Sequence, residues 1–94
     1  MFKRTVDSGT VAVTFAVPAE LGAREACLMG SCTAWAEVPM NPCADGSFEL
    51  VVELPAGNRY AFRYLLDGHR WENDWTADDY VPNAFGGDDS VVLT

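Results

Sequence analysis

The sequence predicts an all-β domain, a sandwich of short antiparallel strands, and three observations support this prediction. Apolar residues alternate with polar residues along several short segments, as they do in strands with one buried face. Glycine, proline, asparagine and aspartate recur between these segments at intervals of roughly 8–12 residues, which is typical of β-sandwiches. No stretch of about ten residues or more repeats its apolar positions with the period of a helix.

The first half of the chain contains two of the predicted strands. Residues 11–17 alternate valine and phenylalanine with alanine and threonine, and Pro18 ends this strand. Residues 25–30, "EACLMG", form a second short apolar run. Residues 31–46 hold two prolines and close on an Asp-Gly pair, so they predict a long loop that ends in a turn.

The second half of the chain contains the clearest alternation. Residues 47–54 and 59–67 predict two strands, joined by the turn "PAGN", in which Gly57 is free to take a positive φ. In the second of these strands, Phe62 and Tyr64 fall on the core face and Arg63 on the solvent face. Residues 76–89 predict a loop, and residues 90–94 a closing strand.

Length and charge exclude several classes of function. The 94 residues form one predicted domain, residues 1–94, and are too few for a catalytic barrel of roughly 250 residues. With 14 acidic and 6 basic residues the formal charge is −8, which excludes nucleic acid and anionic lipid as expected partners. No apolar run approaches the ~20 residues that span a bilayer. We therefore expect a cytoplasmic domain without an export signal or membrane segment, complete as a domain but not as a biological unit.

The polar residues that could bind a metal or act in catalysis indicate neither function. Cys27, Cys32 and Cys43 lack metal-binding spacing and share the chain with a single histidine, His69, which we expect to be a plain turn residue. We expect reduced thiols, with a Cys32–Cys43 disulfide left open for an oxidised sample.

The paired acids at 78–79 and 88–89 are expected to be solvated loop residues, with calcium binding as the alternative. A sandwich this small also offers no cleft for the two carboxylates of a glycosidase.

The three tryptophans raise the question of function, because they lie outside the alternating runs. For Trp75 packing in the core is the favoured interpretation. Trp35 and Trp71 instead sit among polar residues. An indole suits the apolar face of a sugar ring, while the donors of Arg63 suit sugar hydroxyls. Two aromatic residues and a donor on one face would form an open platform for a chain of glucose units.

Four segments together carry a family resemblance: "VTFAVPAE", "LMGSCTAW", "DGSFELVVELPAGNRYAFRYLLDGHRWENDW" and "VPNAFGGDDSVVLT". In this order they resemble carbohydrate-binding module family 48, the glycogen-binding or isoamylase-type early-set domain. This domain occurs at the front of glycogen branching and debranching enzymes and in the β-subunit of AMP-activated protein kinase. The resemblance covers about residues 10–94. It implies an immunoglobulin-like antiparallel sandwich of about seven strands. It also implies binding of α-1,4-linked glucans, and the residues themselves lead us to expect no catalysis, cofactor or metal.

The resemblance also assigns the candidate binding residues. Trp35 and Trp71 take the positions of the stacking tryptophans, and Arg63 that of a basic hydrogen-bond donor. Asp89 stands where binding members often have an asparagine, and Phe85 replaces a smaller aliphatic residue, so its ring would either stack on the sugar or block it.

A further departure is Cys32, which replaces an aromatic residue expected to help fix the loop. Two functions therefore stay open. The first is binding of glycogen, starch or a maltodextrin. The second is a protein-interaction module that docks on a glycogen-metabolising enzyme, or self-associates, without binding sugar.

Overall fold

Ten strands and two 3-10 turns make up the chain in the computed structural model, which describes all of residues 1–94. The strands are β1 (Phe2–Asp7), β2 (Thr10–Val17), β3 (Ala26–Gly30), β4 (Val38–Pro39), β5 (Asn41–Pro42), β6 (Phe48–Pro55), β7 (Arg59–Leu66), β8 (Arg70–Glu72), β9 (Asp79–Pro82) and β10 (Asp88–Leu93). The 3-10 turns cover Ala19–Leu21 and Ser31–Thr33. No helix in the structure has the length and apolar character needed to cross a bilayer.

The strands pair into two antiparallel sheets that pack face to face. The smaller sheet has the order β1-β2-β6-β5, and the larger has the order β4-β3-β7-β10-β9, with β8 also paired to β7. The predicted all-β antiparallel sandwich is confirmed, in an arrangement consistent with an immunoglobulin-like fold. Three of the ten strands have only two or three residues, and the remaining seven agree with the expected number.

The core lies between the inner faces of β2 and β6 on one side and β3 and β7 on the other. The strand predicted for residues 11–17 is confirmed. Val13, Phe15 and Val17 are fully buried in the core, and Ala12 and Thr14 on the opposite face are also buried. Phe62 packs edge-on against Phe15, with ring centroids 4.9 Å apart. Aromatic pairs favour this geometry, which adds to the gain from burying their surface.

Besides the short strands β4, β5 and β8, two longer strands, β1 and β9, lie in segments where no strand was predicted. All six residues of β1 are exposed, and β9 contains two exposed residues at its start and Pro82 at its end. Both strands are sheet edges, paired on one side only, to β2 and β10 respectively. A strand without a buried face needs no alternation of apolar and polar residues, so periodicity does not reveal it.

One buried polar network links the two sheets through Tyr64. Its hydroxyl donates to Asp74 Oδ2 at 2.6 Å and accepts from the amide of Ala16, on β2, at 3.2 Å. Asp74 Oδ1 accepts from the amide and hydroxyl of Thr76, and the Met1 amino group lies 3.3 Å from Oδ2. Burial, together with the negative charge of Asp74, raises the pKa of Tyr64 well above its ordinary value. Tyr64 therefore remains a hydrogen-bond donor at any physiological pH.

Replacing Tyr64 with phenylalanine tests this network. Tyr64→Phe removes one partner from the buried Asp74 carboxylate and the acceptor from the Ala16 amide, so the free energy of unfolding should fall by about 1–3 kcal/mol. Urea denaturation followed by circular dichroism measures the change. The matched control is Tyr60→Phe, because Tyr60 is half-buried on the same face of β7 but lies outside the network. An equal loss in both variants would contradict this account.

Candidate functional site

An open depression on the outer face of the larger sheet brings together all five residues that the sequence singled out. Its volume is about 1020 Å³. We call it the aromatic depression, and its lining consists of Trp35, Arg63, Trp71, Phe85 and Asp89, together with Asn83, Ala84, Gly86 and Gly87. These residues come from two separate loops and from three strands, β7, β8 and β10. Pairing of the strands therefore creates the depression.

Arg63 lines the aromatic depression from β7, the strand to which β3, β8 and β10 pair. Phe62 and Tyr64 on either side of it are buried, so Arg63 points to the opposite face of the sheet. Trp71 pairs with Leu65, which has the same parity as Arg63, and this register places the indole on the same face. The guanidinium carbon of Arg63 lies 4.7 Å from the centroid of the Trp71 ring, a cation–π contact.

Asp89 reaches the same face from β10. Ser90 pairs with Phe62 and is buried, so Asp89, the residue before it, faces outward beside Arg63. Its Oδ1 atom lies 3.9 Å from Arg63 Nε, an ion pair without a hydrogen bond. Arg63 Nε is buried and has no hydrogen-bond partner, and no other hydrogen bond from Arg63 to the protein is formed. Trp71 and Asp89 thus hold the guanidinium in place while its terminal N–H donors stay free.

The loop after β3 places Trp35 at the rim of the aromatic depression. The amide of Trp35 donates to the Gly30 carbonyl at 2.8 Å, and Thr33 Oγ1 accepts from the Gly30 amide at 3.2 Å. Ala34 and Trp35 both take left-handed backbone conformations, with φ of 53° and 60°. Such conformations are unfavourable for residues other than glycine and persist where surrounding contacts enforce them. Trp35 is consequently held at the surface, with 43% of its area exposed.

Cys32 of this loop packs on the core from a partly buried position, and burial raises the pKa of its thiol. All three cysteines are free, so the disulfide between Cys32 and Cys43 that the sequence left open is not formed.

Asn83 is a site residue that the sequence reasoning missed. Its Oδ1 atom accepts from the amides of Phe85 and Gly87 at 2.9 and 3.2 Å, which closes the loop between β9 and β10. Its Nδ2 group donates to Asp89 Oδ1 at 3.1 Å. One side chain therefore holds both the Phe85 loop and the carboxylate. The available signal was an asparagine in a Gly-rich turn, since such side chains often bond the backbone two residues later.

Phe85 and Trp75 differ in their relation to the aromatic depression. Phe85 is 92% exposed at its edge. Trp75 borders a separate cavity of about 230 Å³, next to Pro18 and Ser47, and is 57% exposed. The interpretation that Trp75 packs in the core is wrong. Asp74 takes the buried position through its hydrogen bonds, and the neighbouring Trp75 side chain remains at the surface.

The remaining polar candidates lie outside the aromatic depression. His69 is an exposed turn residue, with Nδ1 2.8 Å from the Asp67 carbonyl oxygen. The acids at 78–79 are exposed, as expected, and each also forms an ion pair, Asp78 with Lys3 at 2.7 Å and Asp79 with Arg59 at 3.2 Å. No three histidine, cysteine, aspartate or glutamate side chains are grouped as a metal site would require.

Comparison with known proteins adds no relative. No protein-family model matches the sequence, and no curated protein shows significant similarity to it. Arguments about function therefore rest on the residues of the aromatic depression and on the resemblance described above.

Gly30→Ala tests the packing that positions the Trp35 loop. A Cβ atom at Gly30 would lie 2.5 Å from the Ala61 carbonyl oxygen and 2.8 Å from Phe62 Cβ. Because both neighbours belong to the central strand β7, we expect the free energy of unfolding to fall by about 1–3 kcal/mol in urea denaturation. Gly9→Ala, in an open turn, is the control and should change stability by less than about 0.5 kcal/mol. A fully stable Gly30→Ala protein would contradict this packing.

Asn83→Ala tests the role of Asn83 in ordering the Phe85 loop. Loss of its Oδ1 atom should raise the hydrogen-exchange rates of the Phe85 and Gly87 amides about threefold or more, as measured by NMR. Asn58→Ala removes an asparagine that bonds the backbone of a different turn, and it should leave both rates unchanged. Equal exchange rates in Asn83→Ala and the unaltered protein would show that the loop holds its shape without this side chain.

Proposed function

We propose that this domain binds α-1,4-linked glucose chains in the aromatic depression and does not act on them chemically. The observation that carries the proposal is the shared location of Trp35, Trp71 and Arg63. Two indoles, each 43% exposed, border an arginine that makes no hydrogen bond to the protein. The natural ligand would be glycogen, starch or a maltodextrin.

The groups of the aromatic depression match the chemistry of a sugar ring. An indole can cover the apolar C–H face of a glucose unit. The hydroxyls around the ring both donate and accept hydrogen bonds, and the site offers partners of both kinds. Arg63 presents N–H donors, while the Asp89 carboxylate only accepts. Because the two charged groups lie close together, one glucose unit could bond to both.

The preference for α-1,4 linkages rests on the resemblance to glycogen-binding modules. A depression with separate aromatic groups at its borders also suits a curved chain, in which successive rings face different directions. The arrangement of the candidate residues is compatible with this preference, although Asp89 departs from the family pattern.

The carboxylates support a binding function over a catalytic one. Glycoside hydrolysis requires two carboxyl groups facing each other roughly 5–10 Å apart across the bound sugar. Asp89 is the one carboxylate that lines the aromatic depression, and Arg63 is paired with it. The adjacent Asp88 is exposed and does not line the depression.

A second candidate function is docking on another protein, and Phe85 is the observation that favours it. An aromatic side chain that is 92% exposed beside tryptophan and arginine resembles the centre of a protein interface. A glycogen-metabolising enzyme, or a second copy of this chain, would be the partner. A domain of this kind would show no response to free glucan.

Alanine substitution of the tryptophans tests the proposed function. Trp35→Ala and Trp71→Ala should each weaken maltoheptaose binding by about 2 kcal/mol or more, close to 30-fold in Kd, because each removes a stacking surface. Isothermal titration calorimetry measures the affinity, and circular dichroism verifies folding. Trp75→Ala is the matched control and should keep the original Kd, since Trp75 borders a different cavity.

Cellohexaose, whose linkages are β-1,4, is the ligand control and should not bind. Undiminished binding by Trp71→Ala, or equal weakening by Trp75→Ala, would contradict the assigned site. A folded protein that does not respond to millimolar maltoheptaose would favour the docking function instead.

A further inference from the structure

The aromatic depression carries one positive and one negative charge. Among its nine lining residues, only Arg63 and Asp89 are charged. The other basic side chains near β7 are engaged elsewhere: Arg59 bonds Asp79, and Arg70 bonds the Leu21 carbonyl oxygen. The lining residues thus have no net charge, although the whole chain carries −8.

Asp89 is fixed in its position within this lining. It belongs to β10, where it pairs with Val81 of β9, and the next residue, Ser90, pairs with Phe62 of β7. Its side chain is 15% exposed, and Asn83 Nδ2 donates to its Oδ1 atom. The carboxylate can therefore not rotate away from a ligand without losing this hydrogen bond and its proximity to Arg63.

A ligand bound in the aromatic depression would contact both the N–H donors of Arg63 and the carboxylate of Asp89. A hydroxyl group can accept from Arg63 and donate to Asp89, so both contacts are favourable. A phosphate monoester can accept from Arg63 but has its charge close to that of Asp89. Because both side chains are largely withdrawn from water, solvent screens neither charge strongly, and the repulsion from Asp89 offsets the attraction that Arg63 alone would offer a phosphate.

We propose that Asp89 makes the aromatic depression selective for uncharged glucose chains and against glucose chains that carry phosphate monoesters. This inference rests on the proposed function and identifies the chemical class of glucan that the same site accepts. It treats the aspartate, which stands where an asparagine was expected, as a determinant of specificity.

Two preparations of one ligand test the selectivity. A maltodextrin phosphorylated at the 6-hydroxyls along its length is compared with the same material after phosphatase treatment, using isothermal titration calorimetry. The unaltered protein should bind the phosphorylated form about tenfold more weakly or worse. In Asp89→Asn, the ratio of the two Kd values should fall to about three or less.

Asp88→Asn is the matched control for net charge. It removes one negative charge from the adjacent residue, which is exposed and lies outside the aromatic depression, so the Kd ratio should stay at the original value. Raising sodium chloride from about 0.05 M to about 0.5 M should reduce the ratio for the unaltered protein, because salt screens charge repulsion.

The possible outcomes separate selectivity from binding itself. Equal Kd values for both preparations with the unaltered protein would overturn the inference while leaving the proposed function intact. A Kd ratio that Asp89→Asn or salt leaves unchanged would also overturn it, because the exclusion would then be steric. Failure of the dephosphorylated preparation to bind would overturn the proposed function and this inference with it.

Discussion

Strand β7 is the element on which the rest of the structure depends, because one of its faces packs in the core and the other lines the aromatic depression. Phe62 and Tyr64 lie fully within the core, while Arg63 between them lines the aromatic depression. Three strands take their register from β7, with pairs that include Met29–Arg63 and Leu65–Trp71. A shift of one residue would bury the guanidinium and expose the aromatic core. Core packing therefore also determines which side chains surround Arg63.

Local contacts then hold the loops that complete the aromatic depression. Asp74 anchors the chain after Trp71, because its buried carboxylate accepts a hydrogen bond from the Tyr64 hydroxyl. Gly30 permits the close approach of β3 to β7 where the Trp35 loop begins, and Asn83 holds the loop on the opposite side. An exposed site buries little of its ligand, so such preorganisation lowers the entropic cost of binding. Repeated glucose chains on one particle would raise the effective affinity further.

The pattern of apolar residues predicted the strands that face the core, but it did not predict the strands at the edges of the sheets. Alternation identified β2, β6 and β7 because their apolar residues enter the core, whereas the exposed β1 shows no such pattern. The candidate residues that line the depression were also identified from the sequence. The alternation along β7 predicted that Arg63 faces outward, and the order of the family motifs assigned the two tryptophans. Sugar binding by these residues stays a prediction.

The contact of Asn83 with Asp89 and the exposure of Trp75 could not be predicted, for a physical reason. Asn83 acts through hydrogen bonds that exist only once the loop is closed, and Trp75 is exposed because the polar Asp74 is the buried residue. Patterns of hydrophobicity assign polar residues to the surface, but a carboxylate with several hydrogen bonds can occupy the interior. Three-dimensional hydrogen bonding thus decides these two positions.

The indole N–H resonances of the three tryptophans give the most direct test of the central claim. We would record ¹H–¹⁵N NMR spectra while titrating the unaltered protein with maltoheptaose, after assigning the three signals by substitution. The account predicts that the Trp35 and Trp71 signals shift with one common saturation curve, while the Trp75 signal stays in place. Unchanged Trp35 and Trp71 signals at saturating sugar, or a shift of the Trp75 signal alone, would contradict it.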